Sequence, residues 1–162
     1  KARERLYYLN LYLEQIRTTV FRQMLFAEFE LLTHAAVKKG EALTADKLES
    51  IWMKLNRTYY GEDVVLDTEL AAEWSRIPHF YRPFYVYQYA TGYAAAMTLS
   101  HNLRTKGEPA QKAYLPYLAS GGSDYSITLL QRAGVDMTTP EPFQITFQKF
   151  TDCLNELETL TE

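Results

Sequence analysis

The sequence predicts an all-α protein, an irregular bundle of about six helices. Three observations carry that expectation. Apolar residues recur three and four apart along most of the 162-residue chain, the spacing of an amphipathic helix. No stretch alternates apolar and polar residues for long enough to form a strand. Gly, Pro and capping residues fall mostly between the periodic stretches. The length suits one domain, residues 1–162, able to bury a sizeable core.

The first helix is expected from about Arg3 to Lys39, with Leu6, Leu9, Leu13, Ile16, Val20, Met24, Ala27 and Leu31 at helical spacing. It contains no Gly or Pro, and Gly40 supplies a stop signal. Phe21, Leu25 and Leu32 widen its apolar face enough to contact neighbours on two sides. Thr44 and Asp46 then mark the next helix start, the first as N-cap and the second as a favourable charge in the first turn. Leu48, Ile51, Trp52, Leu55 and Tyr59 form one face before Gly61.

The polar segment from Glu62 to Ile77 reads mostly as loop, with a short helix over Glu69 to Trp74. Pro83 is placed in the first turn of a helix running from about Arg82 to Thr105, because a missing N–H costs nothing there. Gly107 and Pro109 close it. Ala110 to Leu118 forms a short helix stopped by Gly121 and Gly122, and Ser123 caps another through Leu130. The last helix begins about Pro142 and keeps Phe143, Ile145, Phe147, Phe150, Leu154 and Leu157 largely inward.

A net charge of −3 argues against nucleic-acid or anionic-membrane partners, which need a basic field. No apolar run is long enough to span a bilayer. The single cysteine, Cys153, excludes an intramolecular disulfide and suits a reducing compartment. The chain starts at Lys1 and enters a helical pattern at once, with no signal-type apolar region, as a piece of a longer protein would.

The densest chemistry lies between Ile77 and Tyr93, IPHFYRPFYVYQYATGY. Tyr85, Tyr89 and Tyr93 fall at i, i+4 and i+8, along one helix face. His79 and Tyr81 precede them in a loop restricted by Pro78 and Pro83. Gly92 costs helix stability, and a close approach by a ligand or neighbouring helix would account for it. Buried phenols need hydrogen-bond partners. Periodicity alone leaves two readings in balance, a core stripe with its hydroxyls at the rim or the lining of a cavity.

Other chemistries find little support. There is no HExxH, and His34, His79 and His101 are too scattered for a local metal motif. Glu30 and His34 are four apart, not the Glu-x-x-His spacing of di-iron bundles. Phosphate loops and nucleophile elbows are absent, and Cys153 has no nearby His. The pairs Glu28/Glu30 and Glu156/Glu158 read as solvated or ion-paired faces.

Three blocks occur in order: LYLEQIRTTVFRQMLFAEFE from Leu11, HFYRPFYVYQYATGY from His79, and GGSDYSITLLQRAGVDMTTPEP from Gly121. Together they resemble the C-terminal part of the oligoendopeptidase F family, among the thimet-oligopeptidase-like zinc metallopeptidases. The resemblance implies a cytoplasmic zinc peptidase that cleaves short peptides. Its HExxH helix and third zinc ligand would lie before Lys1, so the chain alone would hold no zinc and show no activity. It also implies that His79, Tyr85 and Tyr89 face the zinc and bind the substrate backbone and oxyanion, with Tyr81 and Tyr93 as secondary substrate contacts. Relatives with a third tyrosine a turn beyond the second would have it at Gly92. Gly121, Gly122 and Tyr125 would serve substrate closure or a structural cap. The alternative reading is a non-enzymatic helical module whose aromatic groove binds a peptide or a partner helix.

Overall fold

The computed structural model describes residues 2–161. They contain seven α-helices, one π-helical turn and two 3-10 segments, with no strand among the described residues. The helices are α1 (Ala2–Ile16), α2 (Arg22–Lys38), α3 (Ala45–Tyr60), α4 (Tyr87–Lys106), α5 (Glu108–Ala119), α6 (Ser126–Arg132) and α7 (Glu141–Thr161). Two compact units emerge, one of Thr18–Ala90 and one of Lys1–Arg17 with Thr91–Glu162. No helix is long and apolar enough to cross a membrane, among the described residues.

The Thr18–Ala90 unit is built on aromatic packing. Leu25, Phe26 and Phe29 of α2 meet Trp52 and Leu55 of α3, together with Ile77 and Val86. Trp52 is fully buried, with the Phe26 ring stacked at 5.5 Å and the Phe29 ring edge-on at 5.1 Å. The expected cap holds: Thr44 accepts a hydrogen bond from the Lys47 amide at 3.3 Å, and Gly61 ends α3 at φ 83°. The polar connection is more ordered than a loop. Thr68–Arg76 forms a 3-10 helix whose Glu73 accepts from Arg22 at 2.7 Å and from Arg76 at 2.6 Å. A second 3-10 turn, Pro78–Tyr81, carries His79. Phe80 beside it packs against Phe26 and Phe29 at 5.7 and 5.2 Å, which anchors that turn to the core.

In the other unit α1 and α7 pack through Leu9, Leu13 and Cys153, flanked by Tyr12, Phe150 and Leu157. A two-pronged Arg5–Glu156 ion pair, with both bonds 2.6 Å, ties the same helices at the surface. The Asn102 side chain of α4 donates to the Gly134 carbonyl at 3.0 Å, holding the turn after α6.

Several expectations need correction. The long first helix is interrupted by a π-helical turn at Arg17–Phe21. That turn falls on the run Thr18, Thr19, Val20, whose β-branched side chains crowd the preceding helical turn. The helix expected from Arg82 begins only at Tyr87. Arg82 is extended at φ −117° and ψ 100°, as a residue before proline prefers, and Phe84 adopts the left-handed φ of 54°. Pro83 thus sits in a turn and not at a helix start. The helix expected from Ser123 starts instead at Ser126, with Tyr125 as its N-cap residue. Glu30, expected on a solvated or ion-paired face, is instead buried, 5% exposed, and accepts a backbone amide. Beyond its own stretch of helix, no described residue comes within 4 Å of where a Cβ on Gly92 would stand, so a neighbouring helix does not explain that glycine.

Candidate functional site

Three of the five sequence-predicted side chains converge. The 3-10 turn presents His79, and the backbone turn closed by the Tyr85 amide on the Arg82 carbonyl, at 3.2 Å, brings Tyr85 alongside it. The His79 and Tyr85 rings stack at 6.0 Å with only 15° between their planes. Tyr89, in the first turn of α4, stands edge-on to both, 5.6 Å from His79 and 5.6 Å from Tyr85. The two phenol oxygens are 2.9 Å apart and hydrogen-bonded to each other. This bond is the main cause holding the Tyr89 phenol above its ordinary pKa. The Arg82 guanidinium lies 5.7 Å from the centre of the Tyr85 ring, within cation–π range.

His79 Nδ1 is buried and has no hydrogen-bond partner among the described residues. A buried ring nitrogen without a partner costs about 1–3 kcal/mol. The turn that carries the cluster is fixed by the aromatic core through Phe80, its two phenols bond each other, and its unpartnered nitrogen is closed to solvent.

Tyr81 stands apart, 82% exposed. Tyr93 lies in the other unit and is half-buried beside Tyr12; burial is the main cause raising its pKa, and the hydrogen bond with Tyr12 works the other way. Tyr12 in turn donates to the Met97 sulfur at 3.1 Å, and burial pushes its phenol up to about 12. Tyr125 is 86% exposed.

Sequence reasoning missed two participants. Glu30 Oε1 accepts the Phe84 amide at 2.6 Å, and the His34 ring packs 4.6 Å from the Phe84 ring. A signal was available for the first: Phe26, Glu30 and Thr33 share the spacing of the buried face of α2. Among the described residues no group of three or more His, Cys, Asp or Glu side chains is placed to hold a metal ion. The residues present do not fit a zinc centre.

The family model described as Peptidase family M3 matches residues 2–149. The chain belongs to peptidase family M3. Among its similar relatives, Oligopeptidase PepF of Bacillus subtilis (strain 168) is 49% identical over 158 residues, 98% of this chain and 24% of that protein. Oligoendopeptidase F, plasmid, of Lactococcus lactis subsp. cremoris is 43% identical over 160 residues, 99% of this chain and 27% of that protein. The crystal structure of oligoendopeptidase-F from Enterococcus faecium superimposes with a TM-score of 0.97 at 45% identity, covering 99% of this chain and 31% of that one. The M3 chain thus spans about a quarter of the length of the curated relatives it matches. The match makes it a segment of a peptidase sequence with the helical fold of oligoendopeptidase F, and the reading as a non-enzymatic binding module is not favoured.

Proposed function

We propose that these residues form the C-terminal helical portion of the catalytic domain of a cytoplasmic, zinc-dependent oligoendopeptidase that hydrolyses internal bonds of short peptides. In this reading His79, Tyr85 and Tyr89 donate hydrogen bonds to the substrate, and Tyr81 is a secondary contact. Tyr93 is a second secondary contact, half-buried beside Tyr12. Zinc, as a Lewis acid, would be held by ligands outside these residues, and the 162-residue chain alone is expected to be inactive.

The observation that carries the reading is the convergence of the orphaned His79 nitrogen with the Tyr85–Tyr89 hydroxyl pair. Peptide hydrolysis develops negative charge on the carbonyl oxygen, and a neutral phenol bonds that oxygen more strongly as the charge grows. Such a donor lowers the barrier without tightening ground-state binding equally. The rings behind the donors stack on one another and on the turn anchored by Phe80, so little reorganisation is needed when charge appears.

In the full-length enzyme, Tyr85→Phe removes one O–H donor and keeps the ring. A fall in kcat of about 100- to 1000-fold with KM little changed is expected from steady-state kinetics on a short fluorogenic peptide. A raised KM at unchanged kcat would instead make Tyr85 a ground-state binding group.

A further inference from the structure

We propose that Glu30 is a positioning residue, holding the turn at Phe84 so that the Tyr85 phenol is presented against His79 and Tyr89; the proposal rests on the reading of Tyr85 as an oxyanion donor.

Phe84 is the one non-glycine residue with positive φ among the described residues. A side chain in the left-handed region is strained and persists only where its surroundings over-determine it. Here two residues of α2, four apart and so on one helix face, grip it. The Glu30 carboxylate takes the Phe84 amide at 2.6 Å, and His34 stacks on the Phe84 ring at 4.6 Å. Glu30 is 5% exposed, so this charge-assisted bond is sheltered from competing water.

The consequence falls one residue later. Tyr85 follows Phe84 directly, before α4 begins at Tyr87, so no helical hydrogen-bond ladder holds its backbone from the N-terminal side. Its amide bonds the Arg82 carbonyl across the same turn, at 3.2 Å. If Phe84 relaxes to negative φ, the peptide plane between Phe84 and Tyr85 rotates and carries the phenol away from its 2.9 Å contact with Tyr89. A carboxylate 54 residues upstream thereby sets where Tyr85 points. Positional errors near 1 Å at a reacting centre cost about 100-fold in rate.

The test is a kinetic double-mutant cycle in the full-length enzyme, joined to a spectroscopic readout that does not depend on turnover. Glu30→Ala is expected to lower kcat about 100-fold with KM little changed. In a Tyr85→Phe background the same substitution should cost almost nothing, because the group it positions has gone. Equal losses in both backgrounds overturn the proposal. With 3-fluorotyrosine at position 85, Glu30→Ala should shift or broaden the 19F resonance, and an unmoved resonance also overturns it. Should Glu30→Ala fail to fold, Glu30→Gln keeps a weaker, neutral acceptor. Its expected loss in kcat is about three-fold, confined to the Tyr85 background; no loss, or an equal loss in both, is contrary. Failure of the underlying reading looks different: Tyr85→Phe alone would leave kcat intact.

Discussion

Tyr89 and Tyr93 lie four residues apart in one aromatic run, yet they stand in different surroundings. In the Thr18–Ala90 unit, Tyr85 and Tyr89 bond each other beside a histidine whose buried nitrogen lacks a partner among the described residues. In the unit containing Thr91–Glu162, Tyr93 is half-buried beside Tyr12, whose hydroxyl donates to the Met97 sulfur. The first arrangement pairs two phenols beside an unpartnered nitrogen; in the second, Tyr12 ties α1 to α4 through Met97. Spacing along a helix identifies which phenols share a face. Only the neighbours decide which of them are spent on structure.

The aromatic core under the first site is the strongest way to break the contrast. Trp52 is fully buried against Phe26 and Phe29, and its ring lies 6.3 Å from that of Phe80, next to His79. Trp52→Ala in the full-length protein is expected to cost about 3–5 kcal/mol of stability, read from denaturant unfolding. A loss below about 1 kcal/mol would mean that the site does not depend on this core.

Alkaline titration probes the second arrangement with a smaller effect. Burial holds Tyr12 at about 12, above its ordinary 10.0. A tyrosine whose folded pKa is raised favours the fold while neutral, so its contribution is whole below pH about 10 and is lost as the pH climbs towards 12. The stability difference between the parent protein and Tyr12→Phe should therefore narrow and then reverse over that window, measured by denaturant midpoints alongside phenolate absorbance. A difference that is flat from pH 9 to 12, a window set by ordinary tyrosine behaviour at about pH 10, would show that Tyr12 is not held neutral by the fold.

Much of the helical framework was legible because it rests on local rules. Apolar periodicity marked α2, α3 and α7, and Thr44, Gly61 and Gly107 marked boundaries that the structure keeps. The start of α4 was not legible, for a physical reason. Pro83 suits a helix start and a turn equally well, and the choice is made by Phe84, whose backbone is held by Glu30 from 54 residues away. Type and spacing marked His79 with Tyr85, Tyr89 and Tyr93, and the family resemblance narrowed the set to His79, Tyr85 and Tyr89; that these three converge while Tyr93 lies beside Tyr12 depends on contacts that no local pattern encodes. Glu30 looked like half of a solvated acidic pair with Glu28, and its place on the buried stripe of α2 was the overlooked sign. Gly92 has no explanation among the described residues.

The contrast between the two kinds of tyrosine is tested most directly by measuring kcat and KM for Tyr85→Phe and Tyr93→Phe side by side in the full-length enzyme. The expected result is a loss in kcat of about 100-fold or more for Tyr85→Phe, with KM little changed, and a near-parental kcat for Tyr93→Phe. Equal losses, or a larger loss at Tyr93, would contradict the division between a phenol presented to substrate and one withdrawn beside Tyr12.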